Sequence, residues 1–259
     1  MAKTILITGA TDGIGLLTAQ KLAADGNKVL LHGRNAEKLA KATDAVQGDV
    51  ESFLADLADL SAVSNLAQAV LSKHDCLDVL INNAGVLKTP KPVLDDGVDV
   101  RFMVNTFAPY LLTQRLLPII PKTGRIVNLS SAAQAPVDPR AMLGEAKLTD
   151  MSAYSQSKLA ITIWTRELAK SLADGPLVVA VNPGSLLASK MVKEGFGIAG
   201  NDLSIGADIL VEAALGARFA DANGAYFDND SGQFSAPHEA ALDPAHAAAV
   251  MRTITGFLG

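Results

Sequence analysis

Short apolar runs alternate with longer segments of helical period along most of the chain. The runs are "TILIT" (4–8), "KVLLH" (28–32), "VESFL" (50–54), "DVLIN" (78–82), "RIVNL" (125–129), "LVVAV" (177–181) and "AYF" (225–227). A strand that is apolar at successive positions keeps both faces from water, the condition of a parallel sheet covered by helices on each side. Segments 14–25, 36–46, 59–73, 99–119, 154–173 and 203–216 have apolar positions at helical spacing, and an alanine-rich helix, "PAHAAAVMRTITGFL", closes the chain. The alternation predicts an α/β protein: a doubly wound parallel sheet, the Rossmann fold, with about seven strands and helices on both faces. Neither a repeat nor a low-complexity linker interrupts residues 1–259, so a single domain is expected.

The rhythm breaks in three places. Residues 132–153 carry Pro136 and Pro139 and are long for a strand-to-helix connection, which marks a functional loop or a small insertion. The stretch 184–202 mixes glycine with Leu187, Met191 and Phe196, and the tail from 232 contains Pro237 and Pro244. Met142, Leu143, Leu187, Met191 and Phe196 read equally as an apolar pocket with its lid and as packing of the loops themselves.

After the first strand comes "TGATDGIG" (8–15), and then a helix. Gly9 suits a tight turn, Gly13 lets backbone approach a pyrophosphate, and Gly15 lets helix pack closely on strand. Phosphates would lie on the helix N-terminus, where free N–H groups and the macrodipole favour negative charge. The second strand ends in "LLHGRN", which puts Arg34 at its tip and no carboxylate. An arginine here accommodates the 2′-phosphate of NADP, whereas an acidic residue would hold the ribose hydroxyls of NAD. NADP is therefore expected in preference to NAD, although an arginine stacked on adenine would give the same sequence.

Composition narrows the partners. With 49% hydrophobic residues, 19% charged residues and a formal net charge of -5, the chain has material for a large core and no basic surface for nucleic acid. Cys76 is the only cysteine and reads as buried filler; the four histidines show no metal-ligand spacing. The opening "MAKTILITGA" is too briefly apolar for a signal core or membrane span, so a cytoplasmic protein is expected, with no membrane partner. Trp164 reads as core or interface, and Glu145 and Asp150 as solvated loop charges.

"TGATDGIG" (8–15), "NNAG" (82–85), "YSQSK" (154–158) and "NPG" (182–184) occur in an order and approximate spacing that resemble the short-chain dehydrogenase/reductase family over nearly the whole chain. The single-domain branch and its retinol-dehydrogenase-like members are the nearest in pattern. The resemblance implies cofactor contacts at Gly9, Thr11, Asp12, Gly13, Ile14, Gly15, Arg34, Asp56, Leu57, Asn83, Ala84, Gly85, Tyr154, Lys158, Pro183, Gly184 and Leu186. It also implies a catalytic set of Asn105, Ser131, Tyr154 and Lys158. Ser131 is the second serine of "VNLSS", and Ser130 is the alternative one position earlier. A threonine common in the family after "PG" has only Ser189 near its place.

These residues suit carbonyl reduction. Tyr154 would give its proton to the carbonyl oxygen, and Lys158, one helical turn on, would lower the phenol pKa and hold the nicotinamide ribose. Ser131 would orient the substrate oxygen, and Asn105 would hold a water behind the lysine. The expected activity is an NADP(H)-dependent interconversion of a ketone or aldehyde with an alcohol, on an apolar small molecule. The alternative is a non-catalytic NADP(H)-binding regulator, which would have no need of the four catalytic residues together. The resemblance further implies a homodimer or homotetramer joined through helices 99–119 and 154–173.

Overall fold

The computed structural model describes residues 2–172, 174–188 and 200–259. Ser189, Met191 and Phe196, singled out above, lie outside these residues. The strands are β1 (Thr4–Ile7), β2 (Lys28–Gly33), β3 (Val50–Leu54), β4 (Val79–Asn82), β5 (Arg125–Leu129), β6 (Leu177–Asn182), β7 (Tyr226–Asp228) and β8 (Gln233–Ser235). They form one sheet in the order β3-β2-β1-β4-β5-β6-β7-β8. Every pairing from β3 to β7 is parallel, and β8 returns antiparallel to β7. The strand order reverses between β1 and β4, the point where the carboxyl ends of an open sheet leave a crevice. The eighth strand exceeds the seven expected, because "QFS" is too short to register as a period of two.

The apolar runs are buried on two faces as expected, except at the edge strand β3, where Phe53 alone is buried and Leu54 is exposed. Leu6, Leu30, Leu80, Ile126 and Val178 join one core cluster, while Ile5, Ile7, Leu31, Ile81, Val127 and Val181 join the other. The helices are α1 (Gly13–Ala24), α2 (Ala36–Ala45), α3 (Leu60–Leu71), α4 (Val100–Phe102), α5 (Ala108–Leu116), α6 (Pro139–Met142), α7 (Asp150–Ser171), α8 (Leu203–Leu215) and α9 (Pro244–Leu258). α3, α5, α7 and α9 cover the first face, and α1, α2 and α8 the second. No helix among the described residues is long and apolar enough to cross a membrane.

Four local expectations are corrected. The segment 99–119 is not one regular helix, because a π-helical turn, Met103–Phe107, separates α4 from α5. α7 starts at Asp150 rather than Tyr154, since Thr149 Oγ1 accepts a bond from the Ser152 N–H at 3.3 Å and caps it. Cys76 is exposed, and its neighbour Leu77 takes the core position. Asp150 is not merely a solvated charge: it accepts a bond from the buried Arg101, which also pairs with Asp99 and donates to the Leu87 carbonyl at 3.2 Å. That guanidinium ties α4, the start of α7 and the segment after β4 into one unit.

α7 bears on quaternary structure. Every residue from Gln156 to Thr165 is buried within the single chain. Ala247, Val250 and Ile254 of α9 share the core cluster with Leu159, Ile163 and Trp164, and Phe257 stacks on Phe107 at 4.4 Å between ring centroids. The stretch 156–165, part of one of the two helices through which the resemblance implies self-association, is thus enclosed by the chain itself.

Candidate active site

The first turn after β1 is shaped by contacts that only glycine permits. Gly9 has φ +66° and Gly13 φ +55°, left-handed values that side chains resist. A Cβ on Gly15 would lie 2.4 Å from Asn83 Nδ2 and 2.5 Å from the Gly9 carbonyl oxygen. Close packing at Gly15 is therefore against the end of β4 and the turn itself. Asn83 Nδ2 donates to the carbonyls of Thr8 and Gly9 at 2.8 and 3.0 Å, and Thr8 Oγ1 accepts from the backbone of Asn83 and Ala84. The switch point is thus laced from both strands.

His32 completes this turn, a role the sequence reading missed. Its Nδ1 accepts the Gly9 N–H at 3.2 Å and its Nε2 lies 3.1 Å from the Ala55 carbonyl oxygen, which it must face as a donor. Burial drives its pKa down to about 4, so the neutral ring spans the ends of β1 and β3. At the opening of α1, Asp12 makes no side-chain cap bond, and the first-turn N–H groups remain available to an anion.

A cleft of about 650 Å³ runs along these strand ends. It is lined by Gly9, Thr11, Asp12, Gly13, Ile14, Gly15, Arg34, Asp56, Leu57, Asn83, Ala84, Gly85, Tyr154, Lys158 and Pro183. Volume, glycine cradle and uncapped helix end together fit a dinucleotide. Arg34 and Lys38 are exposed in the cleft wall, with Lys38 Nζ 3.6 Å from Asp12. Gly33 lets Thr11 approach, since a Cβ there would meet Thr11 Cγ2 at 2.3 Å. The run Val86–Pro90 also lines the cleft and went unread, although it directly follows "NNAG".

Asn105, Ser131, Gly184 and Leu186 are not in the lining. Gly184 has φ +118°, and Leu186, 43% exposed, has φ +54°, the one non-glycine residue in the left-handed region among the described residues. Its carbonyl accepts the Asn201 N–H at 2.7 Å, and Asn201 in turn accepts the Ala188 N–H at 2.7 Å, a clasp that holds the conformation. Asn105 sits in the π-helical turn, a distortion frequent at functional sites. Its amide accepts from Val86 N at 2.8 Å and donates to Val86 O at 3.0 Å and Ser157 Oγ at 2.9 Å, fixing the segment after β4 against α7.

At the far end of the cleft stand Tyr154 and Lys158. Lys158 is 3% exposed; its Nζ donates to the Leu129 carbonyl at 2.7 Å and lies 5.7 Å from the centre of the Tyr154 ring. Burial pulls the ammonium pKa down to about 8. The expected depression of the phenol is not found here. Nζ sits over the ring rather than at the hydroxyl, and burial pushes Tyr154 up, with the Ser131 side chain opposing that rise. Ser130 lines the cleft, but its hydroxyl is engaged with α7, its Oγ 2.6 Å from Thr162 Oγ1 and 3.2 Å from the Lys158 carbonyl.

Fold and cleft thus define a dinucleotide-binding protein with a tyrosine and a buried lysine at one end of its nucleotide groove. The profile of the short chain dehydrogenases matches residues 3–196. Human (Homo sapiens) retinol dehydrogenase 13 is 32% identical over 262 residues, covering 91% of this chain and 78% of its own length. The mouse (Mus musculus) protein of that name is 36% identical over 70% of this chain and 58% of its own, so the match spans less than two thirds of it. A crystal structure of an uncharacterised protein from Mycobacterium paratuberculosis superposes with a TM-score of 0.81 at 30% identity, over 98% of this chain and 93% of that one. A blue fluorescent protein from a metagenomic library, solved with NADPH, gives a TM-score of 0.72 at 25% identity, over 90% and 98%. The chain belongs to the short-chain dehydrogenase family and is an oxidoreductase of the kind that acts on CH–OH groups.

Proposed function

We propose that this oxidoreductase uses NADP(H) to interconvert an apolar ketone or aldehyde with its alcohol, Tyr154 acting as general acid and base. The observation that carries the reading is the buried Lys158 beside Tyr154 in the cleft that holds the glycine turn. When bound, the nicotinamide supplies or accepts the hydride. Tyr154 Oη gives its proton to the carbonyl oxygen as negative charge develops there, and Ser131 orients that oxygen. A phenol raised by burial stays protonated at neutral pH, which favours the reductive direction; oxidation needs its proton removed and so gains with rising pH.

Arg34 and Lys38, with no carboxylate at the tip of β2, support a 2′-phosphate and hence NADP. An apolar substrate is supported by exposed Leu143 and Met151 on the stretch of chain leading up to the tyrosine, and by the relatives named retinol dehydrogenase. Self-association as a dimer or tetramer is retained as part of the proposal, on a surface other than the enclosed middle of α7; sedimentation velocity measures it. The activity is tested by following NADPH absorbance across a panel of ketones and aldehydes. Turnover is expected with at least one, and Tyr154→Phe is expected to lose about 10²-fold or more while still binding NADPH. Binding without turnover across the panel would favour the regulator.

A further inference from the structure

Ser131 follows β5, and it is fixed both by near neighbours and by one group from a remote part of the chain, Tyr226. Its carbonyl oxygen accepts two bonds, from Tyr226 Oη at 3.1 Å and from Gln134 Nε2 at 2.9 Å. A carbonyl has two lone pairs, so this one is saturated and its peptide plane is held from two directions. Gln134 is itself secured: its Oε1 accepts the His238 N–H at 3.0 Å. Tyr226 opens β7, which pairs with β6, so its side chain reaches past one whole strand to the end of β5. It is 5% exposed and does not line the cleft.

We propose that Tyr226, together with Gln134, is a positioning residue that aims the Ser131 side chain at Tyr154. Fixing the plane after Ser131 fixes its Cα–Cβ direction, and the Ser131 Oγ is further oriented by accepting the Ala133 N–H at 3.1 Å. The inference rests on the reading of Tyr154 as the acid and base. Tyr226 suits a permanent donor. Burial, then the nearby Asp228 and Asp230, push its own phenol well above the ordinary tyrosine range, so it keeps its proton and remains a donor at neutral pH. The charged or titratable groups around the cluster are Tyr154 and Lys158 on α7, Asp228 at the end of β7, Asp230 just after it, and His238, whose Nδ1 is occupied by the Ala240 N–H.

The chain has only three tyrosines, Tyr110, Tyr154 and Tyr226, so ¹³Cζ-tyrosine NMR can follow Tyr154 directly, with Tyr154→Phe giving the assignment. Because Ser131 is what opposes the rise of the phenol, misaiming it should raise the Tyr154 titration midpoint. Tyr226→Phe, and separately Gln134→Leu, are expected to raise it by about half to one pH unit, the worth of one neutral hydrogen bond. In a Ser131→Ala background Tyr226→Phe should add nothing, since the effect passes through Ser131. Turnover at saturating cofactor should fall about tenfold, with NADPH affinity unchanged, as for a group that orients the reacting centre alone. A Tyr154 midpoint unmoved in both variants, or moved equally with and without Ser131, overturns the proposal. Failure of the underlying reading looks different, because Tyr154→Phe would then retain turnover whatever the titration shows.

Discussion

Replacing Lys158 with methionine should make the ligand-free protein no less stable at neutral pH, and should erase a pH dependence that the natural protein has. Lys158 is 3% exposed, and burial is what takes its pKa from 10.5 to about 8. At about 1.4 kcal/mol for each tenfold change in proton affinity, holding this ammonium inside the folded protein costs about 3 kcal/mol at pH 7. Methionine removes that cost and leaves the Leu129 carbonyl without the donor it now has at 2.7 Å. An unpaired buried acceptor costs about 1–3 kcal/mol, so the net change at pH 7 lies between about zero and a gain of 2 kcal/mol. The pH dependence is sharper. Between about pH 8 and 10.5 the unfolded lysine keeps its proton while the folded one has lost it, so the unfolded state binds more protons and stability rises with pH. Urea unfolding at intervals from pH 7 to 10 should show the natural protein gaining about 2–3 kcal/mol on the variant. The raised phenols of Tyr154 and Tyr226 act in the opposite sense at still higher pH and are common to both proteins, so they cancel in the difference. Parallel stability curves for the two proteins would refute the burial of a charged lysine at this position. Turnover should be lost in the variant throughout.

Other residues of the cleft give separate tests. Arg34→Glu should weaken NADP binding about 10- to 100-fold, the range of a charged hydrogen bond to phosphate, and leave NAD binding much less affected; equal losses in titration calorimetry would remove the case for the 2′-phosphate. Gly15→Ala drives a methyl group against a backbone oxygen at 2.5 Å, so it should cost about 1–3 kcal/mol of stability and weaken NADPH, measured by urea unfolding and fluorescence quenching. His32→Leu leaves the Gly9 N–H and the Ala55 carbonyl without partners; NADPH affinity should fall about tenfold with turnover at saturation preserved, and a reduced turnover with normal affinity would contradict a role confined to the cofactor turn.

The sequence by itself determined the layered sheet, the crevice and most of the groove. Unbroken apolar runs such as Ile5–Ile7 can satisfy both faces only between helices, and "TGATDGIG" between strand and helix leaves little choice but a tight turn under a helix end. Tyr154 and Lys158 were legible through the resemblance of "YSQSK" to the family pattern, whose spacing also puts both on one helix face. Tertiary structure decided what depends on groups meeting across the chain. It set Tyr226 on the carbonyl of Ser131, placed neutral His32 beneath Gly9, and enclosed α7 with α9, contacts of polar or apolar groups that no local period records. It also decided the protonation of the site. The pKa of Tyr154 follows from how completely water is excluded and where the Lys158 ammonium comes to rest, and both are sums over neighbours drawn from several strands and helices. Sequence spacing puts the lysine within reach of the tyrosine, but only the packed structure shows it over the ring, bonded to the end of β5.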